Sequence, residues 1–396
     1  MKVVVVGAGI VGVSAALTLA ERGVEVVVVD RGPVAGEASG LNAGLISGGG
    51  WGDRPDVEVT LRMGSRNRFI DLSQRRGHDI GLDLTGTLTL VRTEGEWVWA
   101  TATVDAARLA GRALELVTSE ELVDLEPAAD PGLLGAVLDP LGARAEPVAA
   151  TRALAAEAVA AGAVIDTGGA VGSLRLLTGG GWEVGIEAPA GRVVGADVVV
   201  IAAGPWCGEL GAMVGIEIPI VAVRGQMWAT EPQPPLLRHG IAAAESALAW
   251  SDEAEPHRPP ALTHRHGRRS TRHLYGRQRP GGEIVFGGDR VATAERTVDD
   301  EGIAVNRAHV AELLPPVAGL ATARTWCGSM PFSLDGHPLI GPVPGHDGLF
   351  LAGGLASSGF GRGPMAGQLI ADLVTGCDPG VDLADVAPGD RVRPLG

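Results

Sequence analysis

The chain opens on an unbroken apolar run and then changes period. Val3 to Val6 read as a strand buried on both faces. Gly7, Gly9 and Gly12 interrupt the run, and an apolar helix follows, with Ala15 and Ala16 small enough to lie on a sheet. Gly23 closes that helix, Val24 to Val29 form a second strand, and Asp30 sits at its end. Helical spacing returns at Arg62 to Gly77, with Phe69, Ile70 and Leu72 on one side and Arg66, Arg68 and Arg75 on the other. It returns again at Ala100 to Ala113, Ala149 to Ala161, Asp299 to Leu314 and Met365 to Thr375. Ser119-Glu120-Glu121-Leu122 is a capping pattern that predicts a short helix to Leu125. Alternation over Leu82 to Arg92 predicts a hairpin or strand pair. Further strands are expected at Val164 to Asp166, Leu174 to Leu177, Trp182 to Ile186, Val193 to Ala203, Ile216 to Thr230, Glu283 to Gly287, Thr325 to Gly328 and Leu349 to Ala352. Between them, Arg31 to Trp51, Glu231 to Pro260 and Pro331 to Gly345 show no period and read as loops.

The first of these patterns carries chemistry. Strand, G-x-G-x-x-G, helix and strand with a terminal acid form a dinucleotide fingerprint. Gly7 permits the tight turn, Gly9 lets a pyrophosphate approach the backbone, and Gly12 lets helix and strand pack closely. Free N–H groups at the helix start favour the phosphates. Asp30, 18 residues beyond Gly12, suits a ribose diol and would repel a 2′-phosphate, which disfavours NADP. The three glycines and the second strand argue against a signal or membrane span in the same run, and no targeting segment is expected.

At 396 residues two domains are expected, and no internal repeat is evident. A net charge of -15 argues against a nucleic-acid partner and an anionic membrane surface, and favours a cytoplasmic protein. Cys207, Cys327 and Cys377 form neither a disulfide framework nor a metal spacing. His264 to Arg279 is strongly basic, as a solvated loop or as a positive rim for an anionic substrate. His264 and His266 lack a nearby carboxylate or thiol partner, so no metal is expected. Lys2 is the only lysine.

A second glycine-rich turn, Gly353 to Arg362, again joins a strand to a helix. Two such turns at opposite ends of one chain suit a long cofactor, the first holding its pyrophosphate and the second reaching its redox ring. A flavin dinucleotide sealed between two domains fits that requirement. The fold class expected is α/β, a Rossmann-like FAD-binding domain with a second, mixed-sheet α+β substrate domain.

At these residues the chain resembles the D-amino-acid oxidase, glycine oxidase and sarcosine oxidase family of FAD enzymes. The resemblance rests on Gly7 to Gly12, Asp30, Ser39-Gly40-Leu41-Asn42-Ala43-Gly44, Ile201 to Gly204, Arg224-Gly225-Gln226, Asp335 to Gly341 and Ser358-Gly359-Phe360. It implies an FAD domain from 1–78, 147–215 and 325–396, and a substrate domain from 79–146 and 216–324. Cofactor contacts would come from Gly7, Gly9, Ile10, Val11, Gly12, Asp30 and Arg31, and from the ring loop at Ser39, Asn42, Ala43, Gly44 and Leu45. Val171 would lie near the adenine, with Ala203 and Gly204 following. Gly354, Ser357, Ser358, Gly359 and Phe360 would face the flavin's pyrimidine end, where a helix N-terminus stabilises negative charge. The implied chemistry is hydride removal from the carbon bearing the amine of an amino acid or related amine, giving an imine. Either O2 or another electron acceptor would reoxidise the flavin.

Departures from the family bear on the substrate. Where relatives carry an arginine before a proline to grip the substrate carboxylate, this chain has Met330 before Pro331. A thioether cannot form a bidentate pair. Either another arginine does the work or the substrate has no α-carboxylate there: Tyr275 falls where the family places a substrate-contacting tyrosine, Arg277 and Arg279 follow it, and Arg362 is a further candidate. Cys327 lies one residue out of register with the cysteine that carries flavin in the sarcosine oxidase branch, so non-covalent FAD is expected. The lysine which that branch uses for oxygen is absent. Two other readings remain open: an FAD dehydrogenase of a 2-hydroxy acid or polyol phosphate, and a flavin-holding subunit of a hetero-oligomeric amine dehydrogenase. A homo-oligomer is equally compatible with the sequence.

Overall fold

The computed structural model describes residues 1–48, 56–187, 191–246 and 274–395, and the backbone of 264–265 and 268–269. Two sheets organise it. The first runs in the order Leu339–Pro342, Leu349–Gly353, Val198–Ile201, Lys2–Val6, Glu25–Asp30, Val164–Thr167. All of its pairings are parallel except that of Leu339–Pro342 with Leu349–Gly353. Val3, Val4 and Val5 are fully buried because helices cover one face and a three-stranded antiparallel layer covers the other. A strand enclosed on both sides has no polar phase, which explains the continuous valine run.

The helix Ile10–Glu21 packs between two others, Pro147–Ala160 and the last helix, Gly359–Thr375. The eight-stranded second sheet runs Thr322–Ser333, Ile220–Thr230, Ile284–Ala292, Tyr275–Gln278, Gly240–Ala243, Thr87–Val91, Gly135–Asp139, Glu115–Thr118. It is antiparallel except where Gly240–Ala243 runs parallel to Thr87–Val91. Trp228 and Phe286 stack at 5.8 Å in its core. The architecture is the expected Rossmann-like α/β unit beside a mixed sheet.

Several local expectations change. Leu82 to Arg92 holds one strand, Thr87–Val91, whose partners are distant in sequence, so no hairpin forms there. Val193 to Ala203 is two strands in two sheets, Arg192–Ala196 and Val198–Ile201, separated where the Asp197 N–H donates to the Lys2 carbonyl. Gly240–Ala243 is a strand inside the proline-rich stretch. Thr118, not Ser119, caps the short helix through a reciprocal pair with Glu121. Thr322–Ser333 continues through Pro331, which its edge position permits because one side needs no N–H donor. The expected boundary at 325 therefore falls inside a strand of the second sheet. The last helix begins at Gly359 and carries Pro364 within it. Residues 49–51, 247–260 and the side chains of the basic stretch before Leu274, His264 and His266 included, lie outside the described residues.

Candidate active site

The turn after the first strand is built by close packing. Gly7 adopts φ +119°, and a Cβ there would lie 2.3 Å from the Ala202 carbonyl oxygen. A Cβ at Gly12 would lie 1.9 Å from the Gly7 carbonyl oxygen. The helix start is thus held against the strand end, as the fingerprint requires. Asp30 accepts from the N–H groups of Ala8 and Gly32, both at 2.7 Å, and Ser39 Oγ accepts from the Ile10 N–H at 2.9 Å.

Above this turn lies a cavity of about 790 Å³. Of the expected cofactor contacts, Gly7, Gly9, Ile10, Val11, Asp30, Arg31, Ser39, Asn42, Leu45, Val171, Ala203, Gly204, Ser357, Ser358, Gly359 and Phe360 line it. Gly12, Ala43, Gly44 and Gly354 do not line it. Gly12 sits beneath the turn, and Ala43 and Gly44 support the ring loop through their carbonyl oxygens, which accept from Arg277 and Ala145. The start of the last helix opens on the same cavity, and no side chain caps it. Two helix N-termini face one space, which places unsatisfied N–H groups at two points along a long anionic ligand. Arg31 lies over the ring of Trp206, 3.9 Å from its centroid, as a flat cationic shelf at the Val171 end. The donors and the glycine cradle fit a dinucleotide.

The far end of the cavity is lined by residues of the second sheet, among them Gly225, Met227, Leu274, Tyr275, Arg290, Gly328 and Met330. Tyr275 donates to the Met227 sulfur at 3.3 Å. Arg277 is not there. It is 1% exposed, donates to the carbonyls of Ala43 and Ala145, and pairs with Glu146 at 2.6 Å. Burial pushes its pKa down to about 10. Burial alone would raise the Glu146 pKa, but hydrogen bonds and charge from Arg279 and Arg277 hold it below the usual value. Arg277 is a tie between the ring loop and the second sheet, and the expectation that it faces substrate is corrected. Tyr275 and Arg277, two residues apart, share one face of their strand, opposite Gly287 and Val285, but Arg277 lies further along it, where the ring loop and Glu146 cover it instead of the cavity.

Arg362 lines the cavity but is fixed by Glu58 at 2.6 Å and by the Leu355 carbonyl. Cys327 pairs with Gln226 on the opposite face of its strand from Gly328 and Met330, and it does not line the cavity. Among the described residues no group of three or more histidine, cysteine or acidic side chains could hold a metal, and no helix is long and apolar enough to cross a membrane.

The sequence model of the DAO family, described as FAD dependent oxidoreductase, matches residues 2–373. The chain belongs to this family. It is an FAD-dependent oxidoreductase of the DAO family, and the cradle described above suits that cofactor. The chain is 32% identical to a glycine oxidase of Pseudomonas aeruginosa over 99% of both chains. It is 28% identical to a D-amino acid dehydrogenase of Cereibacter sphaeroides, over 100% of this chain and 98% of the relative. Among solved structures, glycine oxidase from Geobacillus kaustophilus superposes with a TM-score of 0.84 at 26% identity, covering 98% of each chain.

Among the cavity residues that the sequence reading missed are Trp206 and Arg290. Trp206 carried no signal beyond its place after Gly204. Arg290 lies past Gly287, where the strand was expected to end. The strand in fact runs to Ala292 and contains an irregularity at Gly288 that reverses its phase. A glycine pair followed by charged residues is a bulge signature that could have indicated it.

Proposed function

We propose that this DAO-family oxidoreductase oxidises the C–N bond of an α-amino acid to an imine. The observation that carries the reading is one continuous cavity. It joins the glycine cradle and Asp30 to the start of the last helix and ends at Tyr275, Met227 and Met330. The glycine oxidase and D-amino acid dehydrogenase relatives support the substrate class. Gly7 to Val11 would hold the pyrophosphate, Asp30 the adenosine ribose, and Ser39 to Leu45 with Ser357 to Phe360 the ring. FAD, when bound, supplies a two-electron acceptor for the α-hydride. The chain orients the amine and excludes water, and loss of an N–H proton leaves the imine, which water hydrolyses to an oxo acid and ammonia.

The FAD is read as non-covalent, since Cys327 faces away from the cavity. The two sheets are read as two domains, with 79–146 and 216–333 covering the nucleotide unit. The acidic charge favours a cytoplasmic location. Anaerobic titration of the yellow protein with amino acids, N-methyl amines and 2-hydroxy acids is the test. Bleaching by an amino acid with formation of ammonia is expected. Bleaching by hydroxy acids alone, or by none of the panel, overturns the reading.

A further inference from the structure

Arg290 is 4% exposed, lines the cavity, and has an Nη1 that is buried without a hydrogen-bond partner. No carboxylate among the described residues pairs with it, in a chain of net charge -15. A buried guanidinium without an anionic partner is unfavourable. Burial accordingly lowers its pKa, and Tyr275 offsets this in part by favouring its charge. The guanidinium carbon lies 5.5 Å from the Tyr275 ring centroid. The Tyr275 hydroxyl, which also engages Arg290, donates to a thioether, a weak acceptor. A buried guanidinium nitrogen without a hydrogen-bond partner therefore stands beside a weakly engaged hydroxyl on the cavity wall, an arrangement that a carboxylate can fill.

The position follows from register. Ala229, Met227 and Gly225 alternate with Trp228 and Gln226, and their partners are Val285, Gly287 and Arg290 against Phe286 and Asp289. The extra residue, Gly288, puts Arg290 on the face of Met227. Without it, Arg290 would share the face of Phe286, inside the apolar core with Trp228. On the other side of the same strand, Gly225 pairs with Gly328 and Val223 with Met330. A Cβ at Gly225 would lie 2.7 Å from the Met330 methyl, so Met330 lies across Gly225 within the same wall. The cation has shifted across the sheet from the strand of Met330 to the strand two places away, about 10 Å.

We propose that Arg290, with Tyr275, is the carboxylate anchor of this enzyme and fixes its preference for α-amino acids over simple amines. This rests on the amino-acid reading above, yet its test needs no turnover. Benzoate and its neutral analogue benzamide are titrated into the oxidised holoenzyme and followed by the change in the visible flavin spectrum. Wild type is expected to bind benzoate more tightly than benzamide. Arg290→Met should weaken benzoate about 100-fold and benzamide less than about threefold. Arg290→Lys should fall between, because an ammonium lacks the planar fork. Flavin content and thermal midpoint establish that each variant is folded, and Arg290→Lys decides the matter if Arg290→Met loses its flavin. Equal binding of the two probes by wild type, loss of both probes together, or loss of neither overturns the proposal. Failure of every amine to bleach the flavin would sink the reaction but leave this measurement intact.

Discussion

Gly367 of the last helix meets Ala15 of the first so closely that a Cβ at 367 would lie 2.6 Å from the Ala15 backbone nitrogen. One turn earlier, a Cβ at Gly363 would lie 2.5 Å from Ile10 Cγ2. This seam holds the two helix N-termini on one cavity. Gly367→Val must push the helices apart, since backbone atoms cannot yield as a side chain does. The expected cost is about 3 kcal/mol, seen as a lower thermal midpoint together with a reduced flavin-to-protein ratio. An unchanged flavin ratio would show that the seam does not position the cofactor site.

Asp30 organises its turn by accepting from Ala8 and Gly32. Asp30→Ala leaves two part-buried donors unpaired and removes the acceptor proposed for the ribose. Flavin affinity of the apoprotein is expected to fall about 30-fold, measured by quenching of free-flavin fluorescence on titration. Asp30→Asn, which keeps one acceptor, should lose less.

Glu146 joins Arg277 and Arg279 at the junction of the ring loop and the second sheet. Its folded pKa lies below the ordinary value of 4.5. A depressed carboxylate stabilises the fold above its unfolded pKa, and that contribution fades as pH falls through the folded one. Stability should therefore drop on acidification below about pH 4.5. Glu146→Gln should cost about 3 kcal/mol at neutral pH by stranding Arg277, and should show a flatter acid limb in denaturant titrations. Because Arg277 does not line the cavity, Arg277→Ala is expected to lower stability more than it alters carboxylate binding by the surviving folded fraction.

Cys327 lies opposite Gln226, on the face away from Gly328 and Met330. Acid precipitation should release all flavin from wild type, and Cys327→Ser should retain flavin to the same degree. Flavin remaining with the precipitated chain would refute the non-covalent reading.

Much of the nucleotide half was legible before folding. The valine run, the three glycines and Asp30 form a contiguous local pattern, and local patterns are what a sequence displays. The glycine turn at the far end of the chain was equally visible. Its contact with the first was inferable only from the length of the ligand that both suit. Gly363 and Gly367, which make the helix contact itself, gave no separate signal.

The second-sheet end of the cavity was not legible, because both the parity of a strand residue and what covers it depend on tertiary packing. A strand's two faces are read from alternation, and one inserted residue exchanges them. Arg277 shares the face of Tyr275, but two residues further along the strand that face is covered by the ring loop and Glu146. Arg290 looked like a charged residue beyond a strand, but the bulge at Gly288 carries it back to the cavity wall. The sequence by itself determined the cofactor cradle, because a phosphate-binding turn is built from neighbours along the chain. Only the tertiary structure decided which cation lines the cavity beside Tyr275, because that depends on the register among strands at 220–230, 284–292 and 322–333, set by packing on both faces of the sheet.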